Sequence, residues 1–170
     1  MIFLFGTKRC VHCNAQKIQL NNTFGPDHWM YIDILKSDES LKVASEMNLD
    51  HTPAIVVFDD QSNEIFRTEG TCAPDKLFSK IHVGSIPCTK KDKVGIFSGQ
   101  RDSVLLSYNP EFESGQEVKI LTYSGEPVCN VKIATCVRHD VASLNDYIRE
   151  SYNLRGGRKD FAWRISFKKA

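Results

Sequence analysis

The chain has 170 residues, enough for one domain or for two small ones. Hydrophobic residues make up 41% of the sequence and charged residues 25%, a balance typical of a protein with a packed core, which excludes an intrinsically disordered chain. The apolar runs fall well short of the ~18 residues of a membrane span, and the apolar start lacks the basic region of a signal peptide. We therefore expect a cytoplasmic protein without a membrane partner.

The net charge of +1 conceals two halves of different character. Residues 1–85 contain 8 Lys and Arg against 11 Asp and Glu, whereas residues 86–170 contain 14 against 10. The sequence also has six cysteines. Without an export signal, such cysteines are expected to be reduced, catalytic or metal-bound rather than parts of a disulfide framework.

The first predicted strand runs through a Gly-Thr-Lys-Arg turn into two cysteines three positions apart, Cys10 and Cys13. If a helix begins at Cys10, both sulfurs lie on one side of its first turn, close enough to bond when oxidised. The unpaired N–H groups and the positive end of the helix dipole then favour the thiolate of Cys10. Lys8, Arg9 and, when protonated, His12 act in the same direction. The pattern predicts Cys10 as a nucleophile and Cys13 as its resolving partner.

Other interpretations of this pair stay open at this point. A single C-x-x-C is also half of a structural zinc site, or simply two buried thiols. Cys136 and His139 have a spacing that could complete a zinc site if the chain folds back. Cys129 and Cys136 lie at opposite parity in one predicted strand, which argues against their sharing a metal. His12 can equally be a solvated bystander.

The rest of the first half alternates helices and strands in the order βαβαββα. We expect the first three strands to be parallel, with helical crossovers, and the fourth to be antiparallel after a short turn. The predicted elements are a helix over 14–20 with Ala15 and Ile18 buried, a strand over 30–34, a helix from Ser37 or Asp38 to about Leu49 with Leu41, Ala44 and Met47 inward, a buried strand over 54–58, a strand over 64–68, and a helix from Pro74 with Leu77, Phe78 and Ile81 inward.

The sequence Cys10-Val11-His12-Cys13 at a strand-to-helix turn, with Thr52-Pro53 about forty residues later before a hydrophobic strand and hairpin, resembles the thioredoxin/glutaredoxin family. The resemblance covers residues 1–84 and is to the small phage and bacterial types. It implies an α/β thioredoxin-like domain with dithiol–disulfide oxidoreductase activity. It also implies a cis Pro53 and a Thr52 backbone that pairs with an extended substrate segment. Val11 and His12 depart from the Gly-Pro or Pro-Tyr usual in the family.

The glutaredoxin resemblance further implies a glutathione-binding turn after the fourth strand. Gly70, Thr71 and Asp75 could contact a γ-glutamyl group there, although a plain strand-to-helix turn explains them as well. Cys72 is either a third redox cysteine or a small buried residue. The expected partners are protein disulfides or glutathione and a reductase as electron donor, with no metal and no cofactor other than glutathione as a co-substrate.

The second half has a different rhythm, after a predicted linker over residues 85–93. Four strand-like runs, over 94–97, 103–108, 116–123 and 128–137, precede a helix capped by Asp140 with Val141, Leu144, Ile148 and Tyr152 on one face, and a strand over 161–167 follows. This predicts a small, mostly β, barrel-like domain with one helix over residues 94–170. Its strand order, its Gly115-Gln-Glu-Val turn and its aromatic last strand resemble ASCH/PUA-like barrels, which are associated with RNA or nucleotides.

A basic, glycine-rich segment lies near the end of the chain, with Arg155, Arg158 and Lys159 beside several aromatic residues. Such a segment can accept phosphates or stack a base, or it can be a solvated face. The alternative to an oxidoreductase is therefore a non-catalytic thioredoxin-like scaffold whose basic second domain binds RNA or nucleotides.

Overall fold

The computed structural model describes residues 1–144 and 161–170. The chain divides into two compact units, Met1–Ile81 and His82–Ala170. In the described ranges, the helices are too short or too polar to cross a lipid bilayer.

The first unit alternates strands and helices around one four-stranded sheet. A short 3-10 helix, Pro26–His28, precedes the second strand, and the predicted order βαβαββα is otherwise confirmed. The elements are β1 (Ile2–Gly6), α1 (Val11–Phe24), β2 (Trp29–Asp33), α2 (Asp38–Glu46), β3 (Ala54–Phe58), β4 (Glu64–Glu69) and α3 (Pro74–Ile81).

The strand order of this sheet is β2-β1-β3-β4. β1 and β2 are parallel, but β3 is antiparallel to β1, so the prediction of three parallel strands was wrong. Ala54, the first residue of β3, lies opposite Phe5, near the end of β1. After α2 the chain thus enters the sheet at the end of the strands where β1 finishes, and β3 runs back beside β1. A uniformly buried apolar run is the same in either direction, and for this reason the sequence could not reveal the orientation.

The sheet of the first unit is buried on both faces. Side chains alternate along β1, so Leu4 and Phe5 face opposite sides, and both are at most 2% exposed. Phe5 packs with Ala54 and Val56. Leu77 and Phe78 of α3 are fully buried, and burying each side chain stabilises the fold by roughly 1.5–3 kcal/mol. The α/β architecture expected for this half of the chain is confirmed.

Helix α1 is longer than predicted and buries different residues. It continues to Phe24 and ends at Gly25, whose φ of 89° is open to glycine at little cost. Of the two residues predicted to face inward, Ile18 is 62% exposed, so its prediction was wrong, and Ala15 is partly buried. The buried face consists instead of Cys13, Gln16, Leu20 and Phe24. A glutamine on this face interrupts the apolar periodicity by which a buried helix face is recognised.

Helix α2, in contrast, is shorter than predicted. It ends at Glu46, and the predicted inward residue Leu41 is 50% exposed, whereas Ala44 is buried and Met47 packs against the core. The Ser37 side chain accepts a hydrogen bond from the Ser40 amide and caps the helix as expected.

The second unit is built on a five-stranded sheet in the order β5-β7-β8-β9-β6. The predicted linker was wrong, because residues 85–93 contain a strand and the first turn of a helix that Thr89 caps. Residues 94–97 belong to that helix and not to a strand. The elements are β5 (Ser85–Cys88), α4 (Lys90–Phe97), β6 (Ser103–Leu106), β7 (Glu117–Thr122), β8 (Pro127–Asp140), a 3-10 helix (Val141–Ser143) and β9 (Phe161–Lys169).

All five strands and α4 contribute to one apolar cluster, which includes Ile86, Ile96, Val104, Ile120 and Ile165. Within the described ranges, β5 and β6 form the two edges and do not pair with each other. The mostly β character of this half is confirmed, whereas the ASCH/PUA-like barrel stays a prediction. The helix expected after Asp140 lies largely outside the described residues.

Strand β8 contains an irregularity that changes which side chains face the core. Its register with β9 shifts between Ile133 and Thr135. Cys129 and Cys136 consequently both pack against the same apolar cluster, although their separation of seven residues predicted opposite faces. The prediction of opposite faces was wrong, because one extra residue between the two cysteines brings their side chains to the same face of the strand.

Candidate active site

Cys10 and Cys13 are joined by a disulfide at the start of α1, with their Cα atoms 5.2 Å apart. Cys10 is the N-cap residue, so it has extended backbone geometry and its side chain lies over the open end of the helix. Cys13 occupies the first turn and is fully buried, whereas Cys10 is partly exposed. Of the two sulfurs, only that of Cys10 is open to a large partner.

The helix terminus provides a hydrogen-bond donor for the Cys10 sulfur. The Cys13 amide donates to Cys10 Sγ over 3.0 Å. A side chain that accepts at this position satisfies one of the orphan N–H groups of the helix. When the pair is reduced, the same amide and the helix dipole stabilise a thiolate more than a neutral thiol.

Three basic residues surround Cys10 in the sequence and are exposed in the structure. Lys8 and Arg9 lie in the turn before the helix, and His12 lies in the first turn. The Asn14 side chain donates to the Lys8 carbonyl over 3.3 Å and holds this turn against the helix. The positive charges of Lys8 and Arg9, and of His12 when it is protonated, add to the field that favours an anionic sulfur at Cys10.

The loop before β3 approaches the cysteine pair from the other side. The Thr52–Pro53 peptide bond is cis, as the family resemblance implied. The Thr52 carbonyl oxygen lies 4.0 Å from Cys10 Sγ, and Pro53 is buried. The structure therefore brings together two motifs that are about forty residues apart in the sequence.

The third segment at this edge is the turn between β4 and α3. The Gly70 amide donates to the Pro53 carbonyl over 2.7 Å, and the φ of Gly70 is 86°. Thr71 is exposed, whereas Asp75 is only 8% exposed and its carboxylate accepts from the Lys76 amide. Gly70 is thus bonded to Pro53, the residue after Thr52, while Asp75 is buried at the first turn of α3.

Sequence reasoning missed Gly6 as a contributor to this site. A Cβ atom at Gly6 would lie 2.9 Å from Cys13 Sγ and 3.2 Å from a ring carbon of Tyr31. The absence of a side chain lets the first turn of α1 approach β1. Tyr31 packs on the same glycine, and the Lys17 ammonium lies 3.2 Å from the centre of its ring. The position of Gly6 at the end of an apolar strand was the available signal.

The remaining cysteines have the opposite environment. Burial raises the pKa of Cys72 to about 11, with smaller influences from Lys76 and Asp75. Burial likewise raises the pKa of Cys88 to about 11. Burial also raises the pKa of Cys129 and Cys136 above the ordinary value. These thiols are protonated at neutral pH, and a protonated thiol is a poor nucleophile.

Two other groups of predicted site residues have different outcomes. Within residues 1–144 and 161–170, no three His, Cys, Asp or Glu side chains gather as metal ligands. Arg155, Arg158 and Lys159 lie outside the described residues, so their contact with nucleic acid stays a prediction.

No family model and no curated protein matches the chain. Similar solved structures include a thioredoxin-fold protein from Helicobacter pylori, with 20% identity and a TM-score of 0.42, which covers 49% of this chain and 68% of that one. A malarial protein has 18% identity and a TM-score of 0.40, with coverages of 48% and 91%. A protein from Enterococcus faecalis has 16% identity and a TM-score of 0.38, with coverages of 56% and 88%. The thioredoxin-like description of the first unit therefore rests on its own topology and on the cysteine pair.

Proposed function

We propose that the protein is a dithiol–disulfide oxidoreductase whose redox centre is the Cys10–Cys13 pair. The observation that carries the proposal is the bonded pair at the amino end of α1, with one sulfur partly exposed and the other buried. This asymmetry matches the two roles that disulfide exchange requires, an attacking sulfur that meets the substrate and a resolving sulfur that stays inside.

The reaction begins with the reduced pair. The Cys10 thiolate attacks one sulfur of a substrate disulfide, forms a mixed disulfide and releases the other substrate sulfur as a thiolate. Cys13 then loses its proton and attacks Cys10 Sγ. This second exchange forms the Cys10–Cys13 disulfide and releases the remaining substrate thiolate, so the substrate gains the two electrons that the pair loses.

The helix terminus supports the first step, the attack of Cys10 on the substrate disulfide. The Cys13 amide that donates to Cys10 Sγ stabilises negative charge on this sulfur when it attacks. Lys8, Arg9 and His12 contribute to this stabilisation from the exposed side.

The substrates we propose are protein disulfides or glutathione, with a reductase or glutathione returning electrons to the pair. An extended substrate segment can pair with the Thr52 backbone, because its carbonyl faces the site 4.0 Å from Cys10 Sγ. Gly70, whose amide is bonded to Pro53, and Thr71 beside it are the proposed contacts for a γ-glutamyl group or for the neighbouring substrate backbone. Asp75 is a weaker candidate because it is buried.

Reduction of insulin by dithiothreitol tests this proposal. The wild-type protein is expected to accelerate it, and Cys10→Ser is expected to abolish the acceleration. Cys13→Ser should accumulate a mixed disulfide that can be isolated, because resolution is lost while attack remains. Cys72→Ala is the matched control, since it removes a cysteine of the same unit without touching the pair.

The alternative scaffold function makes different predictions for the same protein. It requires no turnover by the wild type, together with tight RNA binding that weakens steeply with salt. Zinc bound in stoichiometric amount and lost on Cys10→Ser would instead identify a structural metal site.

A further inference from the structure

Gln16 is a buried polar residue that the disulfide chemistry described above does not use. It lies on α1 one turn after Cys13 and is 1% exposed. Its amide group makes two hydrogen bonds to the backbone of Cys72: Nε2 donates to the carbonyl oxygen over 3.0 Å, and Oε1 accepts from the amide over 2.9 Å. A weaker contact of 3.4 Å joins Nε2 to Gln19 Oε1 on the same helix.

These two bonds connect α1, the helix that carries the cysteine pair, to the turn between β4 and α3. From Cys72 the chain leads back two residues to Gly70, whose amide donates to the Pro53 carbonyl over 2.7 Å. The preceding carbonyl, that of Thr52, lies 4.0 Å from Cys10 Sγ. The contacts thus form a closed path from the cysteine pair through Gln16 and back to the reactive sulfur.

We propose that Gln16 is a positioning residue for disulfide exchange, which holds the Gly70–Cys72 turn and, through it, the Thr52 carbonyl in place for an extended substrate segment. The inference rests on the proposed oxidoreductase function and adds a residue to it. Gln16 does not touch either reacting sulfur. Its effect is therefore on how the substrate is seated and not on the exchange step.

The two hydrogen bonds from the Gln16 side chain to the Cys72 backbone form a clamp. This clamp requires one donor and one acceptor on the same side chain. The Cys72 amide and carbonyl are both occupied by Gln16, and a buried backbone group that loses its partner destabilises the conformation that buries it. A turn that loses both partners is expected to move toward water, and Gly70 moves with it. A glutamate has the same shape as glutamine but supplies a donor only while it is protonated.

Gln16→Glu therefore makes the clamp depend on pH. At low pH the carboxylic acid accepts from the Cys72 amide and donates to the Cys72 carbonyl, as glutamine does. Above the pKa of this carboxyl, which burial raises, one oxygen still accepts from the Cys72 amide, but the other has no proton to donate to the Cys72 carbonyl and that bond is lost. Lys76 and Asp75 are charged groups close enough to Cys72 to influence its pKa. Both are present in the wild type, so their own effect on the kinetics cancels when the variant is divided by the wild type.

The measurement is the kinetics of a quenched fluorescent peptide disulfide between pH 6 and pH 8.5, expressed as variant over wild type. The KM ratio is expected to rise by about five- to tenfold across this range while the kcat ratio stays constant, since the binding that is lost is equal in the ground state and the transition state. Gln19→Ala is the matched control on the same helix and should show flat ratios. Gln16→Ala should show a high KM ratio at every pH.

A second readout is independent of turnover. Hydrogen exchange of the Gly70 amide, which makes no contact with Gln16 itself, is expected to accelerate about tenfold or more in Gln16→Ala and in Gln16→Glu at high pH. A KM ratio near one for Gln16→Ala, a fall in kcat alone, or unchanged exchange at Gly70 in Gln16→Ala overturns the positioning role. Failure of the wild type to turn over any disulfide overturns the proposed function instead, and the Gly70 exchange then decides whether the clamp exists.

Discussion

Cys10 and Cys72 belong to the same unit but have opposite surroundings. Cys10 caps a helix, accepts a hydrogen bond from a backbone amide and has exposed basic neighbours. Cys72 is 5% exposed, and burial raises its pKa to about 11. Both are cysteines in a small α/β unit, so the difference in expected reactivity comes from position alone. Polar backbone groups aimed at a sulfur favour its charge, whereas apolar packing opposes it.

Alkylation of the reduced protein is the strongest way to break this comparison. At pH 7 a thiol with a pKa of about 11 is ionised to roughly one part in ten thousand. We expect iodoacetamide to modify Cys10 at least ~10³-fold faster than Cys72 or Cys88, as measured by mass spectrometry over time. Comparable rates at Cys10 and Cys72 would show that the helix terminus does not activate the sulfur.

The buried thiol should also make stability depend on alkaline pH. The pKa of Cys72 is about 11 in the folded protein against an ordinary 9.0, so above pH 9 the unfolded chain loses a proton that the folded chain retains. Stability contributed by the neutral thiol is present below pH 9 and is lost as pH rises toward 11. The loss amounts to about 2–3 kcal/mol.

Urea denaturation of the wild type and of Cys72→Ala from pH 8 to pH 11 measures this effect. The variant is expected to lose less stability over the range, because the alanine side chain has no proton to release. Other groups titrate in both proteins and cancel in the difference. Parallel stability curves would mean that Cys72 is not shielded from water as the structure indicates.

The glycine under the cysteine pair sharpens the comparison from the packing side. Gly6→Ala places a methyl group 2.9 Å from Cys13 Sγ, and overpacking of this kind costs about 1–3 kcal/mol. The urea midpoint should fall accordingly. Gly95→Ala is the milder comparison, since the nearest atom there is Arg101 Cβ at 3.3 Å, which has to move by only a few tenths of an ångström. Equal midpoints for Gly6→Ala and the wild type would contradict this packing.

The exposed charges around Cys10 should have the smallest effect. Replacing Lys8 and Arg9 together by glutamine removes two positive charges that are screened by water and salt. We expect alkylation of Cys10 at pH 6 to slow by only about two- to threefold at low ionic strength, with the difference shrinking as salt is added. A much larger decrease would assign the activation to these side chains and not to the helix terminus.

The sequence was most informative where local chemistry decides the structure. The helix start at Cys10, the cap at Ser37 and the apolar strand over 54–58 follow from residue types within one or two turns. The meeting of the cysteine pair with Thr52 and Pro53 came from the family resemblance, because neither spacing nor composition relates segments about forty residues apart.

The parts that could not be predicted depend on contacts between distant segments. The direction of β3 is set by where the chain re-enters the sheet, and a uniformly apolar strand carries no record of it. Gln16 looks like a surface residue in the sequence, and only its two bonds to Cys72 explain why it is buried. The apolar residues over 94–97 predict a strand, but they form the end of helix α4, where Val94 and Phe97 are exposed.

The pairing of the fourteen-residue strand β8 with β9 shifts between Ile133 and Thr135. One extra residue, Ala134, therefore decides which side chains face the apolar cluster on either side of it. Deleting Ala134 would leave the composition of the strand almost unchanged but would turn one end by half a rotation. Val137, which is 47% exposed, would then point inward, and Cys136 would point outward. Length at this point is consequently more constrained than residue identity, and insertions or deletions there should be far less tolerated than substitutions.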